Sequence, residues 1–225
     1  MKATVYSHKQ LIGTTDLQIG DESMGCVFGE FIPNDNYFKL IQKAVWDFWT
    51  TDKPNYTKWN SLRFNVQLDN GLFLFPIGGY TFNDSQEFPD EPKRIDIAGI
   101  DLDTLYLGED FLLDPWNIIN VEQKIDIENE LQKEVENHKS FFGLISSKRN
   151  HVLTHATFSA LVSFGPSDDC LFAISKNGNE NKYAVVHLTW KGSKEESDKF
   201  PSTYFYKDFA DFYENRVKPD NEEYD

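Results

Sequence analysis

An α+β fold built on antiparallel sheet is predicted by three observations. Two hairpin signatures flank tight-turn residues, strand and helix patterns are interspersed without regular βαβ alternation, and apolar side chains suffice for a sizeable core. Of the 225 residues, 40% are hydrophobic and 15% aromatic, with 19 phenylalanines, which excludes general disorder.

Taken in order, residues 1–32 are punctuated by Gly13, Gly20, Gly25 and Gly29, predicting short strands and turns. Met24 to Phe31 alternates loosely and ends at Pro33. Asn34, Asp35 and Asn36 offer helix caps. From Tyr37 to Trp49, the residues Leu40, Ile41, Ala44, Val45 and Phe48 fall on one helical face. The strongest local signal is Leu62 to Leu68, where every second residue is apolar, so Phe64, Val66 and Leu68 are predicted to face the core. Asp69-Asn70-Gly71 is a turn, and Leu72 to Phe75 is the expected return strand. Pro76 through Pro92 reads as a long surface loop, and Ile95 to Ile100 as a short strand.

Asn120 to Lys139 is rich in good helix formers, with Ile127, Leu131, Val135 and His138 as a narrow apolar stripe. A surface helix is expected there. Phe158 to Phe164 alternates with Phe158, Ala160, Val162 and Phe164 inward. Leu171 to Ile174 and Tyr183 to Trp190 flank the turn Lys176-Asn177-Gly178-Asn179. Phe209, Phe212, Tyr213 and Arg216 share a helical face, and the acidic tail beyond Pro219 is expected to fray. The whole, 1–225, is expected to form a single compact unit. It allows two sub-halves, about 1–118 and 145–225, joined by a helical connector over 120–140.

Composition narrows function. The formal net charge is −15, from 37 acidic and 22 basic residues. That field repels phosphate backbones, so nucleic acid is not expected as a direct ligand, whereas a basic protein partner would be steered to it. The longest apolar runs fall far short of the roughly 20 residues that span a bilayer, and Met1 to His8 has no apolar stretch of the kind a secretion signal needs. Cys26 and Cys170 have no metal-ligand or disulfide-framework spacing, and two buried, reduced thiols in a cytoplasmic protein are expected.

No cofactor or metal is expected. His151 and His155 have the i, i+4 spacing of zinc ligands on a helix, but the metalloprotease pattern needs Glu where Val152 stands. On a strand the two would lie about 13 Å apart. His187 could serve a Ser-His-Asp arrangement, yet there is no GxSxG elbow. Asp101 and Asp103 would share one face of a strand, a weak carboxylate pair. Gly78-Gly79 belongs to no phosphate-binding pattern. A hydrolase or metal-dependent enzyme using His187 or His151/His155 is therefore the alternative reading, and a structural homo-oligomer the third.

The stretch Tyr183-Ala184-Val185-Val186-His187-Leu188-Thr189-Trp190-Lys191-Gly192 leads to Pro201, Thr203, Tyr206, Phe209, Phe212, Arg216, Pro219 and Asp220. This arrangement, with the opening Ile12 to Pro33, resembles bacterial immunity proteins encoded beside polymorphic or contact-dependent toxins. The resemblance covers the first 30 or so and last 45 or so residues. It implies a non-catalytic protein that neutralises a cognate toxin, with a basic nuclease as one form, and carries over no catalytic residue. The recognition surface is expected on the loop carrying Tyr80, Phe82, Asp84, Glu87, Phe88, Asp90 and Glu91. These aromatics and acids suit a basic protein surface.

Overall fold

The structure, a computed structural model, describes residues 1–135, 150–177 and 180–224. It divides into two units, Met1–Leu107 and Gly108–Asp225. Both are antiparallel sheets with helices, the α+β class that the hairpin signatures predict.

The first unit holds β1 (Lys2–Ser7), β2 (Gln10–Asp16), β3 (Gln18–Ile19), β4 (Val27–Pro33), α1 (Gln42–Thr50), α2 (Tyr56–Ser61), β5 (Phe64–Leu68), β6 (Gly79–Asn83) and β7 (Lys93–Ala98). The strands form one curled sheet in the order β5-β1-β2-β4-β7-β6, with β3 on β4. Val5, Ile12, Phe31, Val66, Phe82 and Ile95 share one core with Tyr37, Ile41, Val45, Phe48 and Trp59. Aromatic edges and faces knit it: Phe31 meets Tyr37 at 5.0 Å and Phe82 at 5.1 Å, and Phe64 meets Phe82 at 4.8 Å between centroids. Such pairs add about 0.5–1.5 kcal/mol each beyond the area they bury.

Phe64, Val66 and Leu68 are buried as the alternation predicts. The return segment is not a regular strand. It keeps one bridge, Gln67 to Phe73, and two backbone bonds, Leu68 N to Leu72 O and Leu74 N to Val66 O, both 2.9 Å. Leu72, Phe73 and Leu74 are all buried, so the segment packs on both sides and has no solvent face. The helical face also differs. A π-helical turn over Tyr37–Ile41 precedes α1, the buried column runs Tyr37, Ile41, Val45, Phe48, and Leu40 is 58% exposed. The loop expected over Pro76–Pro92 contains β6, which pairs with β7 along its length, Gly79 opposite Ala98 and Asn83 opposite Arg94. Asp101 and Asp103 belong to a 3-10 turn around Leu102–Tyr106 rather than a strand face.

The second unit holds β8 (Trp116–Ile118), α3 (Val121–Val135), β9 (Thr157–Phe164), β10 (Asp169–Ser175), β11 (Tyr183–His187), β12 (Ser202–Tyr206), α4 (Phe209–Phe212) and α5 (Lys218–Tyr224), the sheet ordered β12-β11-β10-β9-β8. α3 opens on a reciprocal cap: Gln123 N donates to Asn120 Oδ1 and Asn120 N to Gln123 Oε1, both 2.9 Å. It is no surface helix. Lys124, Glu130 and Glu134 are buried with Ile125, Ile127, Leu131 and Val135. Lys124 reaches the Glu128 carboxylate, Ser159 Oγ and Ala160 O, so the helix expected as a connector is tied to β9 within its own unit. Residues 136–140 of that expectation, including His138, and the start of the sub-half at 145 lie outside the described residues. So do Gly178 and Asn179 of the second turn, although β10 and β11 pair as its hairpin predicts.

β9 is buried on both faces: Ser159, Ala160, Leu161 and Val162 are all inside, whereas Phe158 and Phe164 are half-buried. A register shift against β10 between Leu171 and Phe172 breaks the expected alternation. The tail does not fray as expected. α4, a π-helical turn over Tyr213–Val217 and α5 follow one another without a break, and Pro219 directly follows the widened turn in which Lys218 N bonds Tyr213 O.

Candidate functional site

The predicted recognition loop divides into two parts. Tyr80 and Phe82 lie on β6, with Phe82 only 1% exposed in the core and Tyr80 half-buried. Asp84 is 5% exposed and turns inward. Its Oδ2 accepts from Tyr37 Oη at 2.7 Å and Gln42 Nε2 at 3.1 Å, and its Oδ1 lies 3.4 Å from Lys93 Nζ. Burial, and then the Asp84 carboxylate, push the Tyr37 hydroxyl well above its ordinary range, so it remains a donor. Contrary to the expectation, these three residues do not form an outward surface. Glu87, Phe88, Asp90 and Glu91 do, with Phe88 at 55% exposure.

That outward segment is held from within. Asp84 anchors its start, and Lys93, the first residue of β7, anchors its end while donating to Pro89 O at 2.9 Å. Between them Ser85 organises two turns. Its Oγ accepts from Glu87 N at 3.1 Å, its carbonyl accepts from Phe88 N at 3.3 Å, and Phe88 O accepts from Glu91 N at 3.2 Å. A charged, aromatic loop is thereby given a preset shape, which lowers the entropy lost on binding.

Beside it opens a cleft of about 580 Å³, lined by Trp46, Trp49, Asn83, Gln86 and Glu87 among others. Trp49 is 52% exposed, yet its indole N–H donates to Phe82 O at 2.8 Å and its ring packs edge-on against Phe48 at 5.3 Å. Sequence reasoning missed both tryptophans. The available signal was that Trp46 and Trp49 lie on the helix but off its apolar face.

In the second unit, His187, Thr189, Trp190, Arg216 and Asp220 tie strands and helices together. Thr189 N, Thr189 Oγ1 and Trp190 N all donate to Glu134 Oε1, at 2.8, 2.9 and 2.9 Å. Burial raises that carboxyl above the usual range, against the lowering effect of these bonds. His187 Nδ1 lies 2.8 Å from Asp169 Oδ1, and Arg216 bridges Asp169 Oδ2 and Asp220 Oδ2, each at 2.8 Å. Trp116 donates its indole N–H to the same Asp220 oxygen at 2.8 Å. Asp169, His187 and Ser202 are cross-strand neighbours on β10, β11 and β12, and the imidazole turns to the carboxylate that Arg216 also holds. The arrangement is a strut between sheet and C-terminal helix.

His151 and His155 do not converge on a metal-ligand geometry. His155 is exposed at positive φ, whereas His151 is buried, its Nδ1 accepting from Leu153 N at 3.2 Å and its Nε2 facing Pro201 O at 2.9 Å. Both His151 nitrogens are occupied, which requires the neutral ring with Nε2–H donating. Burial holds its pKa below 6.5. A depressed folded-state value means the unfolded chain takes the proton first, so this residue's contribution is intact above 6.5 and is lost as pH falls through the folded value. Melting temperature measured from pH 7.5 to 5 should therefore drop less for His151→Gln than for the native chain. Equal slopes would remove His151 as the cause.

Cys26 is half-buried and free, and Cys170 is buried and free, its thiol pushed up to about 12 by desolvation. Among the described residues, no three His, Cys, Asp or Glu side chains are placed to hold a metal ion. No helix among them is long and apolar enough to cross a membrane. No family model matches the chain, and neither a curated protein nor a solved structure is significantly similar to it.

Proposed function

We propose that this chain is a non-catalytic protein-binding protein, an immunity protein that neutralises a basic bacterial toxin in the cytoplasm. The observation that supports this best is the segment between Asp84 and Lys93. It is held at both ends by a buried ion pair and presents Glu87, Phe88, Asp90 and Glu91 to solvent. An aromatic anchor ringed by carboxylates suits a basic protein surface: the ring is desolvated on contact, and the charges steer approach. The net charge of −15 reinforces steering at long range. The resemblance of both chain ends to toxin-neutralising proteins points the same way, with its motif residues supplying scaffold and the loop supplying contact.

The partner is expected from the gene immediately upstream. Co-expression of that protein with this one should restore growth that the upstream protein alone abolishes. If cells die equally fast with and without this chain, the reading fails.

A further inference from the structure

We infer that the cleft beside the recognition segment is a socket for one basic side chain, a guanidinium or ammonium group, carried by the protein partner. Three features of the cleft carry this. Trp49 presents a half-exposed ring whose orientation is already set by its bond to Phe82 O and its packing on Phe48. A fixed aromatic face attracts a cation with little ordering cost. The ionisable side chains lining the cleft are all carboxylates: Asp84, Glu87 and Asp96. Asp84 faces Lys93, and Asp96 is gripped by Arg94 through bonds of 2.6 to 3.1 Å, whereas Glu87 is exposed and supplies counter-charge for an incoming cation.

The third feature is polar lining. Asn83 and Gln86 offer amide carbonyls as acceptors for the N–H groups of a guanidinium. Trp46 adds a second aromatic side chain to the same lining. The volume admits one long side chain with its flanking backbone. An anionic ligand would meet Glu87 instead of a counter-charge. A purely apolar ligand would leave the Asn83 and Gln86 amides and the Glu87 carboxylate unmatched.

The socket rests on the reading above for the identity of its occupant, but its chemistry can be tested without the partner. The full chain is titrated with N-acetyl-arginine amide and, separately, with the isosteric uncharged citrulline amide, following the five indole N–H resonances. The Trp49 resonance is assigned by its loss in Trp49→Phe. The expected result is a saturable shift of the Trp49 signal by the arginine compound at roughly millimolar concentration, as befits a ligand of few atoms. Citrulline should bind about tenfold more weakly, and Glu87→Gln should weaken arginine binding several-fold. Glu87→Gln is exposed and leaves the fold intact, so it decides the matter if the tryptophan variant is unstable. An unmoved Trp49 signal, or equal shifts by citrulline, would overturn the socket. A responding cleft in a chain that fails to protect cells would leave the socket standing and remove the toxin partner. Protection with a silent cleft would do the reverse.

Discussion

Asp84→Ala should destabilise the first unit by about 3–5 kcal/mol, the cost of stripping one partner from a buried ion pair. The substitution leaves the Lys93 ammonium, 8% exposed, with only the Pro89 carbonyl of its two described contacts, and removes the acceptor of Tyr37 Oη and Gln42 Nε2. Urea unfolding followed through the separate indole N–H resonances of Trp46, Trp49 and Trp59 reports on this unit, since all three lie within it. Adding Lys93→Met should recover much of the loss, because the uncompensated charge is the expensive element. A single-variant cost under about 1 kcal/mol, the level of exposed pairs, would show that Asp84 is not the anchor described.

Lys124→Ala should have a comparable effect on the second unit, again about 3–5 kcal/mol. Lys124 is fully buried and its Nζ gathers the Glu128 carboxylate, Ser159 Oγ and Ala160 O, while Ala160 N donates to Glu128 Oε1 at 3.1 Å. The cluster satisfies backbone groups of β9 beside its register shift against β10, so its loss strikes helix and sheet together. Lys124→Met with Glu128→Gln keeps the stem and the acceptor for Ala160 N, and should be markedly less harmful. Denaturant midpoints read from Trp116 and Trp190 would decide it, and equal midpoints for the single and double variants would refute the ion-pair account.

What was legible in the sequence follows from where the physics is local. β5 was readable because polar Asn65 and Gln67 alternate with its core residues, and the β10–β11 pairing because two apolar runs flank turn residues, although β10 and β11 are both buried on both faces. β6 was hidden because it offers only Tyr80 and Phe82 amid glycine, proline and asparagine. β9 and Leu72–Leu74 hid their faces because burial on both sides erases alternation. The helix over 121–135 was recognised, but its depth was not, since charged residues enter a core only where distant partners such as Ser159 or Thr189 receive them. The same limit applies to the site. Glu87, Phe88, Asp90 and Glu91 look like Asp84 in composition, and only Tyr37 and Lys93, remote or on the next strand, reveal which acid turns inward.

The central claim, that the pinned acidic segment is the recognition surface, is tested most directly by association kinetics with the protein encoded upstream. Rates are measured across a range of salt concentrations for the native chain and for a variant combining Glu87→Gln, Asp90→Asn and Glu91→Gln, which leaves Asp84 and the fold alone. The account predicts that the variant associates about tenfold more slowly at low salt and has a shallower salt dependence, as the loss of local steering charges requires. Phe88→Ala should instead hasten dissociation. A complex whose association, salt dependence and dissociation are all unchanged by these substitutions would place the interface elsewhere and contradict the account.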